Sequence, residues 1–248
     1  MGSIYRLLTA GLLATSALAA QPVQAEEQTA PPSTYLVDIS ASHWCFDCVG
    51  KIVNEDRLMG GYTDHTFRGD WKVSRFALAS IANKLLNQIR LGYEIKIQPD
   101  VNPERPVPAL PEHWAYPYVR TLLQEYNLAG MMFTADAPNG DLPISRKHVA
   151  YVLSELLMKA EATSGQQIEE KIRLVQKAQD VESRSAFSPY IEAALNRYQF
   201  MNLYHDHTFR PEAPVSRYEL AAALCRISDL LKTRLAKAPE ANAKTAAQ

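Results

Sequence analysis

The sequence predicts an all-α protein built from three helix–loop–helix units, and three observations lead there. A short motif recurs as Val73-Ser74-Arg75, Ile144-Ser145-Arg146 and Val215-Ser216-Arg217, with successive serines 71 residues apart. After each copy, apolar residues return at i, i+3, i+4 and i+7: Leu78, Ile81, Ala82 and Leu85; Val149, Val152, Leu153 and Leu156; Leu220, Ala223, Leu224 and Ile227. That is the spacing of a helix with one buried face. Before each copy stands a shorter helical pattern, Val49-Ile52-Val53, Val119-Leu122-Leu123 and Ile191-Ala194-Leu195, beginning 25, 26 and 25 residues ahead of the serine. Two short helices cannot bury their apolar faces alone, so the three units are expected to pack into one body.

In chain order, residues 1–25 read as a secretory signal. Arg6 is the only charge, an apolar stretch runs from Leu7 to Ala20, and Val23-Gln24-Ala25 fits the small-x-small cleavage rule. Residues 26–34 and 237–248 lack any apolar period and are expected to be disordered. Between them lie unit one (35–90), a proline-rich connector (91–109), unit two (110–160), a connector with a further helical pattern (161–177) and unit three (178–236). No later segment approaches the ~20 apolar residues of a membrane span. The chain is therefore expected to be exported, to the periplasm or cell envelope.

The formal net charge of −1, with 26 basic against 27 acidic residues, offers no basic excess for a nucleic-acid backbone or an anionic bilayer. Anion binding, if present, must be local. Each motif serine is a good helix N-cap, and Ser216-x-x-Glu219 is a full capping box. The arginine that follows is not explained by capping, because a cation in the first turn opposes the helix dipole at a cost of ~0.3–1 kcal/mol. Two readings remain open for Arg75, Arg146 and Arg217. Each could pair with an acidic residue of a neighbouring unit and lock the bundle, or, with the unused N–H groups of the first turn, grip a ligand carboxylate through two parallel hydrogen bonds.

The loops of units one and three share Asp64-His65-Thr66-Phe67-Arg68 and Asp206-His207-Thr208-Phe209-Arg210 letter for letter. Unit one adds Val37-Asp38-Ile39, His43-Trp44 and Gly61-Tyr62; unit three adds Asp180-Val181, Tyr204 and Arg217-Tyr218-Glu219. Unit two keeps His113-Trp114 and Ser145-Arg146, but Asp136-Ala137-Pro138-Asn139-Gly140 replaces the loop motif. In order, spacing and copy number these residues resemble the S-layer homology (SLH) family over 35–231, and the Phe-Arg-Gly-Asp turn is similar to the form seen in cyanobacterial outer-membrane proteins.

The resemblance implies a pseudo-threefold helical bundle that is not an enzyme, carries no cofactor, and binds a peptidoglycan-linked, often pyruvylated polysaccharide. By the same resemblance Arg75, Arg146 and Arg217, beside Ser74, Ser145 and Ser216, would meet the ketal carboxylate, with Asp64 and Asp206 in the loops. Trp44 and Trp114 could stack on a sugar face or close the core at each helix start. Tyr62, Phe133 and Tyr204 share one position and raise the same choice. With loop and acid uneven among the units, one or two working grooves are expected.

Other signals carry less. Trp44-Cys45-Phe46-Asp47-Cys48 looks like a redox W-C-x-x-C, but it lies inside a helical repeat and not at a strand-to-helix junction. In an oxidising compartment a structural disulfide or paired thiols at Cys45 and Cys48 is the expectation, leaving Cys225 as the odd cysteine. His65 and His207 stand where the family has a turn glycine, so a left-handed backbone explains them better than a metal site. The alternatives to glycopolymer binding are a helical adaptor for another envelope protein and, more remotely, a thiol-disulfide oxidoreductase.

Overall fold

The computed structural model describes residues 36–109, 111–133, 139–171 and 175–235. The expected signal, linker and tail lie outside them, as do Asp136, Ala137 and Pro138. Among the described residues the chain is all-α. The helices are α1 (Phe46–Gly50), α2 (Arg75–Asn87), α3 (Tyr116–Arg120), α4 (Arg146–Ser164), α5 (Ser188–Glu192) and α6 (Arg217–Leu235), with no strand.

Each unit repeats one construction. The first helix of each unit is extended by a wider, π-helical segment, Lys51–Glu55, Thr121–Glu125 and Ala193–Arg197. The chain then turns through a left-handed residue at the same register, Arg57, Asn127 and Gln199. Every apolar residue of the helical patterns is buried. His65 and His207 hold φ of 62° and 58°, the left-handed turn expected from their position.

Asp38 fastens the start of unit one to its loop, its two oxygens accepting from the Phe67 and Arg68 N–H groups at 2.6 Å each. Asp180 does the same for Phe209 and Arg210 at 2.7 Å. Asp64 and Asp206 each accept from a Thr hydroxyl and a following Arg (Thr66 and Arg68; Thr208 and Arg210), and these bonds hold their carboxyls at about 2, well below the usual carboxylate range.

The units close into a ring. The Val73 N–H donates to Val215, the Val215 N–H to Ile144 and the Ile144 N–H to Val73, at 3.0, 3.0 and 2.7 Å. Around this ring the N-terminus of each long helix abuts the next unit's loop. The Arg75 and Phe76 N–H groups donate to Leu142 and Gly140, those of Arg146 and Lys147 to Ala213 and Pro211, and those of Arg217 and Tyr218 to Trp71 and Gly69. The residue after the arginine decides what the loop can carry. A Cβ on Gly69 would stand 2.0 Å from the Tyr218 ring and one on Gly140 2.1 Å from Phe76, whereas the third seam pairs Lys147 with Pro211.

One expected helix is absent. α4 runs to Ser164 and stops at Gly165, left-handed at φ 67°, so residues 165–171 and 175–178 are not helical. The connector instead bonds laterally: Ile168 N–H to Glu161 Oε1, Glu170 N–H to Arg197 and Gln176 to the Asn196 amide. Of its described apolar residues Ile168 is a buried anchor, whereas Val175 is exposed.

Candidate functional site

The long helices begin as their serines dictate. Ser74 Oγ accepts the Ala77 N–H at 3.0 Å. Ser216 Oγ accepts the Glu219 N–H while Glu219 Oε2 accepts the Ser216 N–H at 2.8 Å, the complete capping box. At Ser145 the hydroxyl bonds His148 Nδ1 at 2.8 Å. All three serines are buried and engaged at the helix starts.

The arginines depart further from expectation. The backbone N–H groups that were to meet a carboxylate are already taken by the next unit's loop. Arg217 is 1 % exposed; its Nε and Nη2 donate to the carbonyls of Phe67 and Gly60 at 2.7 and 2.6 Å, and its guanidinium lies 4.5 Å from the Phe67 ring centroid. These two bonds to carbonyls lock units three and one together. Burial pulls the guanidinium below its ordinary value while leaving it cationic at neutral pH. Arg75 is half-buried, and burial lowers it as well.

Arg146 holds the same pose on unit three, donating from Nε and Nη2 to Phe209 and Asn202 at 2.7 Å each. Its Nη1 end differs in facing a hollow of about 200 Å³, with Glu219 Oε1 at 3.7 Å. Trp44, Tyr204, Ala222 and Arg226 also line this hollow. Trp44 is 67 % exposed, its ring beside His43 and edge-on to Tyr218. Tyr204 lies between two cations, 4.8 Å from Arg146 and 4.0 Å from Arg210. With Nε and one Nη2 N–H spent on carbonyls, Arg146 keeps its Nη1 N–H groups on the side of Glu219.

The remaining candidates divide. Trp114, at the register of Trp44, is half-buried against Phe76, His113 and Tyr118. Asp64 and Asp206 face solvent and serve their own turns, outside the hollow. Among the described residues no group of three or more His, Cys, Asp or Glu side chains is arranged to hold a metal. Cys45, Cys48 and Cys225 are free thiols. Glu219, Ala222 and Arg226 were missed as site residues. Their i, i+3, i+7 spacing on one helix places them on one face, a signal present in the sequence but shared by every amphipathic helix.

The S-layer homology domain pattern matches residues 179–221. Over 64 residues, 26 % of the chain, the sequence is 38 % identical to the outer membrane protein SlpA of Deinococcus radiodurans, of which that covers 5 %. Over 93 residues, 38 % of the chain, it is 32 % identical to a cellulosome-anchoring protein of Acetivibrio thermocellus, of which that covers 20 %. The matches therefore span a small part of either relative's length. No helix among the described residues is long and apolar enough to cross a membrane. The matched span runs from Asp180 through the Tyr204–Arg210 loop to Ser216-Arg217-Tyr218-Glu219 and includes Tyr204 and Glu219 of the hollow, and the chain carries an S-layer homology domain over residues 179–221, within its third helix–loop–helix unit.

Proposed function

We propose that the protein is a non-catalytic cell-envelope binding protein that holds an anionic glycopolymer of the wall in the hollow between Trp44, Arg146 and α6. One observation carries this reading: a large indole, 67 % exposed, stands at the rim of a hollow lined by two guanidiniums, Arg146 and Arg226, against a single carboxylate, Glu219. An aromatic face matches the C–H face of a sugar ring, and a cationic floor matches a carboxylate substituent such as a pyruvate ketal. The printed names of the two relatives, an outer membrane protein and a cellulosome-anchoring protein, support an envelope role, and the export signal read in residues 1–25 agrees with it. Units one and two share the register of the matched domain and are read as further copies of it.

The mechanism is positional. The Arg146 guanidinium is fixed by two carbonyls and stacked on Tyr204, so it loses little freedom when its Nη1 end meets an anion. Arg226, exposed on the same wall, is the adjustable second cation. The test is co-sedimentation with purified sacculi before and after acid removal of secondary polymer. Pelleting should be lost after acid treatment and reduced roughly tenfold in Trp44→Ala and Arg226→Ala, since a stacking or charged contact is worth ~1–2 kcal/mol. Undiminished pelleting of the Trp44→Ala, Arg226→Ala double variant would sink the proposal. Arg146 and Arg217 are unsuited to this test, because their loss also unlocks the bundle.

A further inference from the structure

Cys45 and Cys48, three residues apart, and Cys225, 177 residues further on, lie along one seam, where α1 of unit one packs on α6 of unit three. Cys45 is fully buried, its thiol donating to the Tyr218 carbonyl of α6 at 3.5 Å. Cys225 is buried on α6 itself, and Cys48, one turn along from Cys45, is half-buried. The packing of α1 on α6 brings Cys48 and Cys225 to the same stretch of this seam. Lys51 of unit one and Asp229 of α6 form an ion pair on the same seam, one turn beyond Cys48 and Cys225 respectively, so the two elements run in matched register there.

We propose that Cys48 and Cys225 form a disulfide that covalently joins the first unit to the third and so closes the ring of three. The pairing differs from the local Cys45–Cys48 bridge that the C-x-x-C spacing suggests. Cys45 is committed to a carbonyl of α6 and shut away from solvent, whereas Cys48 is the thiol an oxidant can reach and Cys225 is its buried neighbour across the seam.

The chemistry needs an external disulfide as oxidant. The Cys48 thiolate attacks one sulfur of that disulfide, forming a mixed disulfide and expelling the first thiolate. The Cys225 thiolate then attacks the Cys48 sulfur and expels the second. Two protein thiols are oxidised, one external disulfide is reduced to two thiols, and the two protein protons pass to the departing thiolates. Burial pushes the Cys225 thiol up to about 12 and that of Cys45 to about 11. Such groups leave poorly, which suits a bridge that resists reduction and not one that turns over.

The experiment treats the full chain with oxidised glutathione and maps non-reduced peptides by mass spectrometry, beside thermal melts of oxidised and reduced protein. The expected result is a peptide pair linked through Cys48 and Cys225, with a melting temperature raised by roughly 5–15 °C, because the bridge encloses a loop of nearly the whole body. Cys45→Ala should keep both the link and the shift, and Cys225→Ala should lose both. A Cys45–Cys48 link, or a stable glutathione adduct on Cys48 with no internal bridge, overturns the proposal. Because the map is read on the unmutated chain, the outcome does not depend on whether any variant folds.

Discussion

The hollow on α6 and the corresponding place on α4 share one backbone plan and differ in the side chains that line them. On α6 the inward stripe is Glu219, Ala222 and Arg226; at the same register on α4 it is His148, Tyr151 and Glu155. Ala222 leaves the floor open and Arg226 makes it cationic. Tyr151 fills the equivalent space, 3 % exposed and packed edge-on to Phe187 and Tyr190, with its hydroxyl accepting the Met131 N–H at 3.4 Å. Glu155 is raised by burial and accepts the Ala129 N–H at 2.8 Å. Where Trp44 stands over the first place, the second has Ala186. The difference teaches that a repeat can keep its ring contacts and lose its groove by exchanging one small residue for one large one.

The largest break in this comparison should come from Tyr151→Ala, which empties the plugged site. A loss of ~3–5 kcal/mol in urea unfolding is expected, with no gain of sacculus binding, since Glu155 stands where the α6 hollow has Arg226. Arg217→Ala comes next, leaving the Phe67 and Gly60 carbonyls without their charged donor. It should cost ~2–4 kcal/mol, and Arg217→Lys should recover only part of that, because a point charge cannot serve two fixed carbonyls as a fork does.

The plugged site should also be the acid-sensitive one. Burial, followed by the nearby Arg75 and Lys147 charges, holds His148 down to about 4, below its unfolded value near 6.5. Between those values the unfolded chain binds the extra proton, so stability is complete above pH ~6.5 and falls as pH drops toward 4. Allowing for partial solvent screening, the loss is ~2 kcal/mol, and His148→Gln should flatten this part of the pH–stability curve. Asp64 and Asp206 contribute a separate loss only below pH ~4, as they protonate on the way down to about 2.

The smallest stability change with the sharpest functional effect is Ala222→Tyr, which copies the plug onto α6. The melting temperature should stay within ~3 °C, because the ring enters an existing hollow of about 200 Å³, while sacculus binding is abolished. If binding persists in that variant, the hollow is not the site.

What could be read directly from the chain was local. The serine spacing gave the units, the 3.6-residue period gave each buried face, Ser216-x-x-Glu219 gave a cap, and the position of His65 and His207 gave a left-handed turn. These depend on neighbours within a few residues, so a single sequence contains them. The site was only half legible for the opposite reason. Arg146 and Arg217 look identical in sequence, yet one meets a hollow and the other a closed seam, because the partners that decide this lie 56–63 and 150–157 residues away.

Trp44 and Trp114 diverge in the same manner, one at a rim and one against Phe76. The sequence by itself therefore determined three helix–loop–helix units and their apolar faces. The tertiary structure decided which helix start sits on which loop, that the N–H groups at those starts are spent on closing the ring, and that α1 with its two cysteines packs on α6 with the third. The physical reason is that periodicity fixes the face a helix turns inward, whereas the order of units around the ring fixes what that face meets.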